Sequence, residues 1–254
     1  RTFIPYGDPA GARAAYLFPG VTGDALSMRR VIDGLGPGWS AHAAAYPGAA
    51  DARPPVESLA QLVEALRAGL DAYDPALSAF IGYSFGGVVA FELARRLQAD
   101  GRAPALLVLA DTQLLARFPS RQGRMPIAFH LEKFRAADWP GRLRYLRTRA
   151  RNTARRVVAL FDRTERYDAL PEVRRVATAH LRAIRGYRPS GPYDGRTLIV
   201  RATGAATEPV DPDAGWGPWL TRPPERVALP CDHVALIKSD AALDLAAAVA
   251  RAAP

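Results

Sequence analysis

The sequence has a single cysteine, Cys231, among its 254 residues. A lone cysteine excludes a disulfide framework within the chain and fits a reducing compartment. No apolar run reaches the roughly 18 residues that a membrane-spanning helix needs. The first residues also lack the basic stretch and the long apolar stretch of a secretory signal peptide. We therefore expect a cytoplasmic protein without a membrane span.

Sequence patterns that bind metals are missing too. The cysteine has no partner at CxxC spacing, and the histidines do not follow the HExxH pattern. The four histidines are His42, His130, His180 and His233. The sequence therefore predicts that the protein holds no zinc site.

Lysine is scarce, and positive charge is concentrated in one segment. Only Lys133 and Lys238 accompany the arginines in a chain of formal charge +9. Residues 113–190 hold 19 Arg and Lys against 6 Asp and Glu, so the rest of the chain is slightly acidic. A GC-rich gene explains the preference for arginine but not its clustering. A basic segment predicts an acidic partner or an anionic group on the substrate.

Short apolar runs alternate with amphipathic stretches along most of the chain. The runs predict strands at 14–19, 40–46, 78–84, 105–111, 197–202 and 225–230. The amphipathic stretches predict helices at 26–35, 56–72, 86–99 and 239–252. Several strands are continuously apolar, as expected when helices cover both faces of a sheet. This alternation predicts an α/β fold with a mostly parallel, doubly wound sheet.

One segment interrupts this alternation. Residues 113–190 contain no clear strand, and their helical patterns at 141–161 and 171–187 place apolar residues on one face and arginines elsewhere. We predict a core made of residues 1–112 and 191–254, with 113–190 inserted as an arginine-rich helical lid. The alternative is a peripheral helical layer with no gating role.

The stretch from Gly82 to Gly86 reads GYSFG and fits the pattern G-x-S-x-G. The pentapeptide alone is a weak signal, but here it follows a strand and opens an amphipathic helix, which is the context of a nucleophile elbow. Small residues two positions from the serine let the strand and helix approach each other. We predict that Ser84 is a nucleophile rather than an ordinary turn residue.

A serine nucleophile needs a general base, which in turn is oriented by an acid. Only His233 follows the last predicted strands, as the chain order serine, acid, histidine of α/β-hydrolases requires. Asp111 is the favoured acid, because it ends the strand after the elbow helix. Asp211 and Asp213 follow the next strand and are the rivals. Capping of a turn is the ordinary role of all three aspartates.

An oxyanion hole needs two backbone N–H donors. Phe85, directly after the serine, is the first predicted donor. The second is expected in the loop LFPGVTGD, where Pro19 has no N–H, so that Gly20 or Val21 must donate. We favour Val21; the alternative is a plain glycine turn.

Much of the chain resembles the thioesterase domains of nonribosomal peptide and polyketide synthases. The resemblance is most specific where GYSFGGVVAFELARRL is followed by LLVLADT. It extends to YLFPGVTGDALSMRRVIDGLG, PGAADARPPVESLAQLVEALRAGL, HLRAIRGYRP and VALPCDHVALIKSDAALDLAAAV. It implies an α/β-hydrolase fold and an acyl or peptidyl chain delivered on the phosphopantetheine arm of a carrier protein.

The resemblance also implies roles for residues. Ser84 would accept the chain, His233 would be its base, and Asp111 would orient the imidazole, as in the release thioesterases of the family. In many stand-alone editing thioesterases the acid follows the next strand instead. Release would occur by hydrolysis or cyclisation, without a metal or redox cofactor and without a nucleic-acid partner.

Three other readings stay open. The first is a stand-alone editing thioesterase, the second is a general esterase, and the third is a carrier-binding module without catalysis. Gly20 stands where many relatives have a second proline, which weakly favours water as the acceptor. No long amphipathic helices precede the first strand, so we expect a monomer rather than a dimer built from such helices.

Overall fold

The structure is a computed structural model that describes residues 2–49, 53–56, 58–70, 73–114, 171–204 and 211–253. Contacts divide the chain into one compact unit of residues 1–116 and 175–254 and a second of residues 117–174. All strands of the β-sheet belong to the first unit. The predicted helix at 141–161 and His130 lie outside the described residues, so the lid and the domain limits stay predictions.

Seven strands of the described residues form one sheet in the order β1-β3-β2-β4-β5-β6-β7. The strands are β1 (Phe3–Gly7), β2 (Arg13–Phe18), β3 (Trp39–Ala44), β4 (Ser78–Tyr83), β5 (Leu106–Ala110), β6 (Thr197–Ala202) and β7 (Glu225–Leu229). β1 runs antiparallel to β3, and every other neighbouring pair is parallel.

β1 has no counterpart among the strands predicted from the apolar runs. Phe3 is its only buried residue, and the strand lies at the edge of the sheet. An edge strand tolerates Pro5 because one side of its backbone needs no ladder partner. The strand therefore lacks the continuous apolar run by which the central strands were predicted.

Six α-helices of the described residues accompany the sheet. They are α1 (Arg29–Leu35), α2 (Leu59–Arg67), α3 (Phe85–Ala99), α4 (Pro171–Ala183), α5 (Ala235–Lys238) and α6 (Ala241–Ala252). Among these residues, none of the helices has both the length and the apolarity that crossing a bilayer requires.

Helices cover the two faces of the sheet. On β4, Phe80 belongs to an apolar cluster with residues of α2 and α3, and Ile81 belongs to a second cluster with residues of α1 and α6. Successive strand residues point to opposite faces, so both faces of the central strands are buried. The mostly parallel, doubly wound sheet is therefore as predicted.

The order of the strands determines where the polar residues meet. In parallel strands the carboxyl ends lie at one edge of the sheet, and β2, β4 and β5 are direct neighbours there. Val21 lies in the loop after β2, Ser84 follows β4, and Asp111 follows β5. His233 comes four residues after the end of β7.

Candidate active site

Ser84 lies between the end of β4 and the start of α3 with φ 54° and ψ −118°. A positive φ is uncommon for a residue other than glycine and costs about 1–3 kcal/mol. Two hydrogen bonds hold the turn: Ser84 N–H donates to the Ala110 carbonyl at 3.0 Å, and Gly87 N–H donates to the Ser84 carbonyl at 3.1 Å. The predicted elbow is thus a strained turn stabilised by β5 and α3.

The glycines around the serine are required by close backbone approaches. A Cβ at Gly82 would overlap the backbone of the first turn of α3. A Cβ at Gly86 would overlap the carbonyl oxygens of Phe18 and Pro19 at the end of β2. Helix α3 can therefore start directly above the sheet only if these positions carry no side chain.

His233 lies between the serine and an aspartate. Its Nε2 is 3.0 Å from Ser84 Oγ, and its Nδ1 is 2.6 Å from Asp111 Oδ2. A carboxylate accepts hydrogen bonds, so in the neutral form of His233 the proton on Nδ1 points to Asp111 and the Nε2 lone pair faces the serine hydroxyl. The site thus has the tautomer that a general base needs.

Asp111 is fixed by the neighbouring strand β6. Its N–H donates to the Val200 carbonyl at 2.7 Å, and its Oδ1 accepts from Ala202 N–H at 3.3 Å. The Arg201 guanidinium Nε lies 3.4 Å from the same oxygen, in a nearly buried pair. Asp111 also has a positive φ of 43°, which turns its side chain at the strand end.

The other aspartates serve local turns. Asp211 accepts hydrogen bonds from the N–H groups of Asp213 and Gly215, and Asp213 pairs with Arg226 at 2.6 Å. Asp232 accepts from the N–H groups of Val234 and Ala235 at the start of α5. The structure brings Asp111, the favoured acid, to His233.

Tyr83 is a site residue that the sequence analysis missed. Its ring stacks on the His233 imidazole, with centroids 4.8 Å apart and planes 26° apart. Its hydroxyl donates to the His233 carbonyl at 2.8 Å. Tyr83 therefore restrains both the ring and the backbone of the histidine; its only sequence signal is its place directly before the serine.

The loop after β2 lies beside the serine. A Cβ added at Gly20 would be 3.8 Å from Ser84 Cβ, and Gly23 N–H donates to the Gly20 carbonyl at 2.9 Å. Phe85 is the first residue of α3, where N–H groups have no partner in the preceding turn. Both predicted sources of N–H donors are therefore near Ser84, and the choice between Gly20 and Val21 stays a prediction.

His180 of α4 is the third histidine with a defined place, and it is fully buried. Its Nδ1 is 2.7 Å from the Val21 carbonyl oxygen, and its ring stacks on Phe85. Burial lowers the pKa of His180, more than the bond to Val21 raises it. His42, by contrast, stacks on Tyr16 within the sheet.

The described residues offer neither a metal-binding cluster nor an activated thiol. No group of three or more His, Cys, Asp and Glu there is placed to hold a metal ion. Cys231 is partly buried, and burial raises the pKa of its thiol. The expectation that no cofactor is needed stays a prediction.

A strained serine turn, a histidine and an aspartate on a doubly wound sheet define the class of the α/β-hydrolases. The family model for the thioesterase domain matches residues 15–252, nearly the whole chain. The chain therefore belongs to the thioesterase domain family, whose members are serine hydrolases that act on thioesters.

Known proteins agree with this assignment. A stretch of 54 residues is 46% identical to part of the nonribosomal peptide synthetase atqA of Aspergillus terreus, covering 21% of this chain and 6% of the synthetase. The Vlm2 thioesterase domain, crystallised with a dodecadepsipeptide, superposes with a TM-score of 0.67 at 18% identity over 99% of this chain and 97% of that chain. YbtT, the type II thioesterase of the yersiniabactin pathway, superposes with a TM-score of 0.69 at 19% identity over 100% and 98%. These likenesses confirm the predicted fold.

The close approach at the elbow yields a stability prediction. Gly86→Ala is expected to lower the free energy of unfolding by about 2 kcal/mol or more, because the new methyl group overlaps two backbone carbonyls. Gly191→Ala is the control, since the nearest atom to its Cβ is 4.0 Å away, and it should change stability by less than about 0.5 kcal/mol. Urea unfolding of both variants measures the difference; equal stability would contradict the packing argument.

Proposed function

We propose that the chain releases an acyl or peptidyl chain from a carrier protein, by transferring it from the phosphopantetheine thiol to Ser84 and then to an acceptor. The observation that carries the proposal is the pair of hydrogen bonds of His233, whose Nε2 accepts from the Ser84 hydroxyl and whose Nδ1 donates to Asp111, in a chain of the thioesterase domain family. The acceptor is water or a nucleophile within the bound chain.

In the first step Ser84 Oγ attacks the thioester carbonyl carbon, and its proton passes to His233 Nε2. The carbonyl oxygen becomes an oxyanion, which the Phe85 and Val21 N–H groups stabilise. The C–S bond then breaks, and the proton moves from Nε2 to the leaving sulfur. Asp111 stabilises the imidazolium during this transfer.

In the second step the acceptor attacks the ester carbonyl of the acyl-enzyme. His233 takes the acceptor's proton, the C–Oγ bond breaks, and the proton returns to Ser84. The 15-residue helix α3 begins at Phe85, so its positive end also faces the oxyanion in both steps.

The proposed partner is an acyl or peptidyl carrier protein, recognised by charge. α4 and the residues after it expose the arginines Arg175, Arg182, Arg185 and Arg188. They belong to the segment of 113–190 with its large excess of positive charge. An acidic carrier surface and the phosphate of its arm are complementary to such a segment.

Release is favoured over editing by the place of the acid. Asp111 follows β5, directly after the elbow helix, which is the arrangement of the release thioesterases that the sequence resembles. The editing thioesterase remains the second candidate function, because YbtT has the same fold. A carrier-binding module without catalysis has no need for the strained turn at Ser84.

Covalent catalysis is tested with Ser84→Ala. With a carrier-bound acyl chain, the parent protein should show the mass of an acyl-enzyme and turn over, whereas Ser84→Ala should show neither, because no other group supplies the attacking oxygen. Intact-protein mass spectrometry and product analysis measure both. Equal turnover by both proteins would rule out the covalent route.

The acid is tested with two aspartates. Asp111→Asn should lower kcat by about 10³- to 10⁴-fold, because an amide can hold the imidazole in the wrong tautomer and does not stabilise its positive charge. Asp211→Asn is the matched control and should stay within a few-fold of the parent protein, since Asp211 caps a turn. The opposite ranking would indicate the editing type.

Electrostatic docking is tested with salt. Raising the ionic strength from about 0.05 M to about 0.5 M should lower kcat/KM for a carrier-bound acyl chain several-fold, because charges on the surface become screened. kcat/KM for a small soluble thioester should change little. Arg185→Glu with Arg188→Glu should weaken only the carrier-bound reaction, and an equal salt response of both substrates would remove the docking proposal.

A further inference from the structure

Two buried side chains hold the loop that follows β2. His180 of α4 bonds the Val21 carbonyl, and Tyr46, two residues after β3, bonds the Pro19 carbonyl. We propose that His180, assisted by Tyr46, is a positioning residue that fixes the oxyanion hole. The inference rests on the proposed function, since it concerns the N–H donors of that reaction.

His180 donates a hydrogen bond from Nδ1 to the Val21 carbonyl. Its side chain is 0% exposed, and its Nδ1 lies 2.7 Å from the Val21 oxygen. A carbonyl oxygen can only accept, so Nδ1 carries the proton. Nε2 is then an acceptor, and it is buried without a hydrogen-bond partner among the described residues. Burying an unsatisfied nitrogen costs stability, and an apolar ring would fill the space without that cost.

Tyr46 supplies the second bond. Its side chain is 1% exposed, and its hydroxyl donates to the Pro19 carbonyl at 3.2 Å. Burial raises the pKa of Tyr46 well above its usual value, so the hydroxyl remains a donor at any working pH. The ring lies edge-on to His180 and to Phe85, with centroids 5.4 Å and 5.9 Å apart.

These bonds surround the peptide that carries the favoured N–H donor. The peptide from Gly20 to Val21 has its carbonyl bonded by Gly23 N–H. The carbonyls of Pro19 and Val21, on either side of it, are bonded by Tyr46 and His180. Because Gly20 has no side chain to limit its rotation, such anchors are what fix the direction of the Val21 N–H.

The same imidazole also contacts the other donor. The His180 ring stacks on Phe85 with centroids 4.7 Å apart and planes 11° apart. Phe85 carries the N–H at the start of α3, and Val21 carries the one from the loop. The His180 side chain thus sets the distance between the loop after β2 and the start of α3. The N–H donors of both must face the same oxyanion, and small displacements of such donors lower the rate strongly.

The test uses four variants. His180→Phe keeps an aromatic ring on Phe85 but removes the donor, and His180→Asn keeps an amide N–H near the place of Nδ1 but removes the ring. Tyr46→Phe removes the bond to Pro19. Tyr73→Phe is the matched control: it removes a buried hydroxyl that donates to the Arg102 carbonyl at 3.1 Å, away from the site.

Each variant is measured with a small acyl thioester and with two inhibitors. An alkyl boronic acid forms a B–O bond with Ser84 Oγ while the proton passes to His233, and the tetrahedral adduct places an oxygen in the oxyanion hole. An amide in place of the thioester reports binding of the ground state. Labelling of Ser84 in the parent protein is checked first, because its absence would reject the proposed function and leave this inference no reaction to act on.

His180→Phe should lower kcat about 10- to 100-fold with KM changed less than about twofold. Affinity for the boronic acid should fall by the same factor as kcat, while affinity for the amide is unchanged. His180→Asn should recover part of the loss, because it restores the bond to the Val21 carbonyl but not the stack on Phe85. Tyr46→Phe should show a smaller loss in kcat, and Tyr73→Phe should match the parent protein.

Two results would overturn the inference. One is a His180→Phe variant with unchanged kcat and boronic acid affinity. The other is an equal loss of kcat in His180→Phe and His180→Asn, accompanied by equal losses of affinity for the boronic acid and for the amide. A merely structural role of His180 would produce that result. If His180→Phe does not fold, the comparison of Tyr46→Phe with Tyr73→Phe decides, and equal kcat in those two variants rejects the role of the loop anchors.

Discussion

The approach of helix α3 to the end of β2 is the constraint on which the site depends. Gly86 lies so near the carbonyl oxygens of Phe18 and Pro19 that a Cβ at this position would overlap both of them. This contact places the start of α3 above the sheet and keeps Ser84 in a backbone conformation that it would not adopt in an ordinary turn. It also places the loop after β2 next to the serine, so one packing contact brings Ser84 close to the loop that contains Gly20 and Val21.

The sheet order distributes the remaining parts of the site. Asp111 comes from β5, beside β4, and its orientation depends on β6 through Val200 and Ala202. His233 comes from beyond β7 and reaches back to β4, where Tyr83 holds its ring and its carbonyl. Ser84, Asp111 and His233 are therefore each restrained by a strand other than the one that precedes them, so the geometry of the site depends on the pairing of β4, β5 and β6.

Features that depend on neighbouring residues could be predicted from the sequence, whereas contacts between residues far apart in the sequence could not. The central strands and the elbow follow from apolar runs and from the glycines around Ser84, which act on their immediate neighbours. β1 could not be recognised, because an edge strand is half exposed and its pairing with β3 sets its structure. The role of Tyr83 could not be recognised either, because it contacts a residue 150 positions away, and His180 contacts one 159 positions away. The lid and the cofactor expectation stay predictions.

The position of His180 has a consequence for protein engineering. Helix α4 begins at Pro171, after the arginine-rich segment 141–161, yet it carries a side chain that is buried beside the β2 loop. A domain exchange that replaces this segment together with α4 would remove the anchor along with it. Junctions placed before Val176, which is itself buried, would keep the contact between His180 and the Val21 carbonyl in the recipient scaffold.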